Sequence, residues 1–90
     1  NGMVETVLLE APSGRLEINA DATGGYIKVE VLDAIGEIQP GFSSEQCLSI
    51  IDDSLSHHVR WKGGDLSNIQ QPFRLRFLLE SAKLYAFQIK

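Results

Sequence analysis

From Tyr26 to Leu32 the chain alternates, with Ile27, Val29 and Val31 on one parity and Lys28 and Glu30 on the other. A period of two marks a strand with one dry face and one wet face. Asp33 to Glu37 then reads as a tight hairpin turn in which Gly36 supplies the positive φ. The same alternation recurs over 15–21, where Leu16, Ile18 and Ala20 interleave with Glu17, Asn19 and Asp21. Thr23-Gly24-Gly25 predicts a hairpin joining that strand to the next. Upstream, Glu5 to Glu10 is expected as a first strand, stopped by a turn at Ala11-Pro12-Ser13-Gly14.

Between Ile38 and Asp53 the pattern weakens. Pro40-Gly41 is a turn pair, and Cys47 to Ile51 is read as a brief strand after an irregular loop. Alternation returns over 56–62, placing His57, Val59 and Trp61 opposite His58, Arg60 and Lys62. Gly63-Gly64-Asp65 turns the chain, and Asp65 to Asn68 suggests one helical turn. Phe73, Leu75, Phe77 and Leu79 then face one way against Arg74 and Arg76, and Lys83 to Lys90 closes the domain with Tyr85, Phe87 and Ile89 on one face. The expected fold is an all-β, antiparallel, jelly-roll-like β-sandwich of about six to eight short strands. Its core is expected to combine Leu16, Ile18, Ile27, Val29, Val31, Val59, Trp61, Leu75, Phe77, Tyr85 and Phe87.

Ninety residues make one domain, with an ordinary apolar fraction of 43% that argues against disorder. Twelve acids against eight bases leave a formal charge of −4, and the bases are scattered. Nucleic acid is therefore not an expected partner, since phosphate binding needs a basic patch. Cys47 is the only cysteine, which excludes an internal disulfide and a thiolate metal cage. No apolar run reaches the ~20 residues that span a bilayer, so no membrane partner is expected. Residues 1–90 read as a single β-sandwich domain excised from the C-terminal end of a larger protein, because strand-like sequence begins and ends the chain almost at once.

Certain phrases occur in a telling order. Gly14-Arg15-Leu16-Glu17-Ile18-Asn19-Ala20-Asp21-Ala22 precedes Gly25-Tyr26-Ile27-Lys28-Val29-Glu30-Val31-Leu32-Asp33. Ile38-Gln39-Pro40-Gly41-Phe42, Asp53-Ser54, Val59-Arg60-Trp61-Lys62, Arg74-Leu75-Arg76-Phe77 and Leu84-Tyr85-Ala86-Phe87 follow. The series resembles the C-terminal β-sandwich domain of bacterial glycoside-hydrolase-like proteins, which are similar to the family 32 and family 43 enzymes with a five-bladed catalytic β-propeller. The resemblance implies a non-catalytic accessory domain whose partner is the propeller of the same parent, in a secreted or periplasmic protein. The family's catalytic acids lie in the propeller, so none is carried over, and no cofactor is implied.

The residues themselves offer a few candidate sites. Asp52-Asp53 is the only adjacent acid pair, yet neighbours on a strand diverge, whereas glycoside chemistry needs two carboxylates ~5–5.5 Å or ~6.5–9.5 Å apart across a sugar. Its two readings are a turn in which Asp53 accepts backbone N–H groups and a calcium-type oxygen site helped by Asp21, Asp33 or Asp65. His57-His58 reads as structural, one ring at the core edge and one toward water. Trp61 and Tyr26 are candidate sugar platforms, since a pyranose stacks on an aromatic plane, although Trp61 shares parity with the core residue Val59. A carbohydrate-binding module targeting a polysaccharide is accordingly the alternative function. Leu32, Ile35, Leu78 and Leu84, off the core parity, are candidates for a domain interface.

Overall fold

The computed structural model describes residues 2–10, 14–62 and 64–90. Among them are six strands: β1 (Gly2–Glu5), β2 (Leu16–Asp21), β3 (Tyr26–Leu32), β4 (Asp53–Val59), β5 (Arg74–Glu80) and β6 (Lys83–Ile89). They form two antiparallel three-stranded sheets, ordered β1-β5-β3 and β4-β2-β6. The chain is all-β, as the alternation predicts, and compatible with a small β-sandwich. A single 3-10 turn at Leu66–Asn68 is capped by Asp65, whose carboxylate accepts from the Ser67 amide at 3.0 Å. The expected turn at Ala11-Pro12-Ser13 and the residue Gly63 lie outside the described residues.

The core is the contact between the dry faces. Leu16, Ile18 and Ala20 of β2 meet Ile27, Val29 and Val31 of β3, with Val59, Phe73, Leu75 and Phe77, all essentially inaccessible. Each of these side chains larger than alanine contributes ~1.5–3 kcal/mol by leaving water.

Several expectations are corrected. Thr23-Gly24-Gly25 does not make a hairpin, because β2 and β3 belong to different sheets. A hairpin would put both apolar faces on one sheet with nothing above them, whereas crossing to the opposite sheet lets the two faces cover each other. The β5–β6 turn crosses at the same end, so tightly that a Cβ on Gly25 would lie 1.8 Å from the Glu80 carbonyl oxygen. The first strand ends at Glu5 instead of Glu10. Thr6 Oγ1 accepts from the Leu75 amide at 3.0 Å in place of a backbone carbonyl, and regular pairing resumes only at the Leu9–Phe73 bridge. Strand β4 begins at Asp53 and stops at Val59, with Trp61 held beyond it by isolated bridges to Cys47 and Gly64.

The segment from Ile38 to Ile50, expected as a loop and a brief strand, runs along the outer edge of β3 without a continuous ladder. Three different devices satisfy that edge. Ile27 exchanges backbone hydrogen bonds with Ile50, and the Val31 amide donates to the Phe42 carbonyl while its own carbonyl accepts from Gln39. Between them, the Val29 amide donates to Cys47 Sγ at 3.3 Å and the Val29 carbonyl accepts from Trp61 Nε1 at 2.7 Å. The outer edge of β3 is thereby covered, while β4 pairs only with β2 among the described residues.

Two bulges shape the second sheet. Ile18 and Ala20 face His57 and Ser54, so β4 carries an extra residue; Asn19 and Ala20 face Ala86 and Leu84, so β6 does too. A bulge reverses parity beyond it. Leu84, Phe87 and Ile89 therefore lean inward together, and Tyr85, expected in the core, is 61% exposed. Phe87 touches the Phe77 ring at 5.3 Å but stays 38% exposed, a second departure from the expected core.

Candidate functional site

Trp61 and Tyr26 have opposite fates. Trp61 is 3% exposed, tilted against Phe42 with ring centroids 5.3 Å apart, and its indole N–H is spent on β3. It is a core residue and offers no face to a sugar, which removes it as a platform. Tyr26 is exposed at the start of β3, but the Lys28 ammonium sits 5.5 Å above its ring centroid. The two rings do not form a shared platform.

Asp52 and Asp53 do not converge on a site. Asp53 opens β4 opposite Asp21 and is exposed, which corrects its assignment to a turn. Asp52 lies 3.3 Å from His57 Nδ1, while His57 Nε2 meets the Ala20 carbonyl at 3.1 Å, so His57 occupies the core edge as expected. The turn-forming carboxylates are others: Asp21 accepts from Thr23, Asp33 from Ile35 and Glu37, and Asp65 from Ser67. Among the described residues no three His, Cys, Asp or Glu side chains gather as a metal site would require. No helix there is long and apolar enough to cross a membrane.

Sequence parity missed a polar cluster on the outer face of the second sheet. Glu17 is buried on the wet parity, where it accepts from Ser56 Oγ at 2.7 Å, Arg15 Nε at 3.0 Å and Lys90 Nζ at 3.2 Å. The Ser56 and Lys90 hydrogen bonds, with the charges of Lys90 and Arg15, hold its carboxyl below the ordinary range. Beside it a shallow depression of about 280 Å3 is lined by Asn19, Leu55, Ala86 and Gln88. Next to Glu17 on β4, His58 Nδ1 accepts from Arg60 Nε at 3.2 Å, so its proton sits on Nε2, which is buried without a partner among the described residues. Burial, and then the Arg15 and Arg60 charges, push the His58 pKa down. On the first sheet Glu30 is the counterpart, bonded by Arg76 at 3.2 Å and the Ser44 amide at 3.3 Å. Both carboxylates are neutralised by cations and tie strands together.

The feature that stands out is the side of the sandwich opposite that covered edge. Among the described residues nothing pairs with the outer edges of β1 and β6. Val4 has inward parity opposite Phe77, yet it is 45% exposed. Met3, Val7, Leu8, Tyr85 and Phe87 are exposed along the same two edges. Of the four expected interface residues, Leu32 is corrected outright. It is 1% exposed, shut in beneath the Ile38–Gln39 turn, whose Gln39 side chain reaches the Leu32 and Gln70 carbonyls. Leu84 is turned against the core by the β6 bulge. Leu78 lies half-buried in a row with Met3 beside the open edge, and Ile35, 80% exposed, projects from the hairpin tip far along β3. The apolar spacing of Met3, Val4, Val7 and Leu8 was visible in the sequence; that no strand covers them was not.

No protein-family model, no curated protein and no solved structure matches this chain.

Proposed function

We propose that this chain is a non-catalytic accessory domain that works by packing its open β1/β6 side against a neighbouring domain. In line with the resemblance of its sequence phrases, the neighbour would be the catalytic β-propeller of a secreted or periplasmic bacterial glycoside-hydrolase-like parent. The observation that carries this reading is the stripe of Met3, Val4, Val7, Leu8, Tyr85 and Phe87 along two unpaired strand edges. Exposed apolar residues beside open strand edges are a docking feature or an aggregation hazard, and native domains keep such edges for a partner.

The alternative, a carbohydrate-binding module, is weaker. Such a module needs two or more exposed rings on one face, and Trp61 is spent in the core. Calorimetric titration separates the two. Heat on mixing with the parent's propeller, abolished by Val7→Lys, together with silence toward fructan, arabinan and xylan oligosaccharides, supports docking. Heat from a sugar and none from the propeller overturns it.

A further inference from the structure

We propose that the depression at the end of β4 is a binding site for a small organic acid with one carboxylate. It measures about 320 Å3 and is lined by Leu48, His58, Arg60, Trp61, Gly64 and Asp65. That volume is at the small end of the ~300–1,000 Å3 of ligand pockets. The depression sits at the β4 margin of the second sheet, across β2 from β6, and is separate from the docking side. Arg60 sets it apart. Among the described residues the other arginines are held by carboxylates: Arg15 by Glu17, Arg74 by Glu5, and Arg76 by Glu5 and Glu30. Arg60 is exposed and, among those residues, is paired with no acid.

The Arg60 Nε–H donates to His58 Nδ1 at 3.2 Å. That bond spends the side edge of the guanidinium and restrains its plane, which leaves the end pair Nη1 and Nη2. Two parallel N–H donors match the two oxygens of a carboxylate. His58 accepts at Nδ1 and therefore carries its proton on Nε2, so it adds no acceptor to the lining. Asp65 is the acid there, and its Oδ1 already accepts from the Ser67 amide and hydroxyl. Its charge opposes a second negative charge on a ligand, which favours a monocarboxylate over a phosphate dianion. Leu48, 52% exposed, and the edge of Trp61 give a short hydrocarbon body an apolar surface. The backbone around them is tied down before any ligand arrives. The Leu48 amide donates to the Arg60 carbonyl at 2.9 Å, and Trp61 and Gly64 exchange hydrogen bonds of 2.9 Å. A site fixed in this way loses little freedom on binding.

Amide and arginine side-chain NMR spectra of the full chain, titrated with sodium butyrate at constant ionic strength, test this. Saturable shifts centred on Leu48, Arg60, Gly64 and the Trp61 indole are expected. Butyramide, the neutral amide of the same shape, should give none. Arg60→Gln removes the fork from an exposed position and should weaken butyrate binding about tenfold or more. Asp65→Asn keeps a capping acceptor for Ser67 and removes the opposing charge, so it should strengthen binding about twofold or more. The absence of saturable shifts overturns the assignment, and so does an Arg60→Gln variant that binds butyrate as tightly as the unsubstituted chain. Phosphate bound as tightly as butyrate, or an affinity unmoved by Asp65→Asn, makes the site one for an adventitious ion only and overturns it as a carboxylate site.

Discussion

Trp61→Phe probes the least regular part of the fold. The indole N–H donates to the Val29 carbonyl at 2.7 Å, on the edge of β3 where no backbone donor is available. Removing that donor leaves a buried carbonyl unsatisfied, at a cost of ~1–3 kcal/mol. The pyrrole portion lost from the ring is worth roughly two buried methylenes, about 1–2 kcal/mol, and the space it vacates lies against Phe42. Together these give a destabilisation of about 2–4 kcal/mol. A chain of this size has ~5–13 kcal/mol in all, so the urea midpoint should fall by a large fraction. The transition must be followed by far-ultraviolet circular dichroism, since Trp61 is the only tryptophan. Cys47→Ala, which strips the acceptor from the Val29 amide on the same residue, should cost less, because a thiol sulfur is a weak acceptor. A loss under about 1 kcal/mol for Trp61→Phe would falsify the claim that the indole substitutes for a missing ladder bond.

Phe77→Ala should cost ~3–5 kcal/mol in urea denaturation by opening a cavity beneath the Phe87 ring, and a loss below about 1 kcal/mol would place Phe77 outside the core. Gly25→Ala forces a Cβ onto the Glu80 carbonyl, so the sheet crossing must shift; thermal unfolding should show a loss of more than ~2 kcal/mol, and an unchanged melting temperature would contradict the close approach. Stability should also fall in acid. His58 is depressed below its ordinary 6.5, so the unfolded chain takes up its proton first, and stability held above that pH is lost as pH drops through the lower folded value. His58→Asn should flatten this part of a urea-midpoint profile run from about pH 8 to about pH 5, and an equally steep profile would exclude His58 as its source. Glu17, Asp21 and Asp65, all depressed by hydrogen bonds, add a further loss of the same sign below their ordinary 4.5, 3.8 and 3.8; Ser56→Ala should shrink Glu17's share of it.

What the sequence determined by itself was whatever depends on local period. Alternation at 16–20, 26–32 and 73–79 was enough to place those strands and orient their dry faces, because side chains in a strand must alternate whatever they pack against. The Gly36 turn and the Asp65 cap were legible for the same reason: each is decided within a few residues of chain, by a positive φ of 93° in one case and a short acceptor in the other. Pairing was not. Whether 16–21 and 26–32 shared a sheet depended on which face needed covering, a question that only the whole set of strands answers. Tyr85 lay outside the reach of parity because a bulge is a mismatch between two strands, and neither strand records it alone. Burial of Glu17 required Arg15 before β2, Ser56 in the middle of β4 and Lys90 after β6 to meet, and burial of Trp61 required an unfilled carbonyl on a strand 32 residues away. The open side is the extreme case. Its apolar residues are ordinary in the sequence, and they become a surface only because the tertiary structure leaves the β1 and β6 edges, among the described residues, without a neighbouring strand.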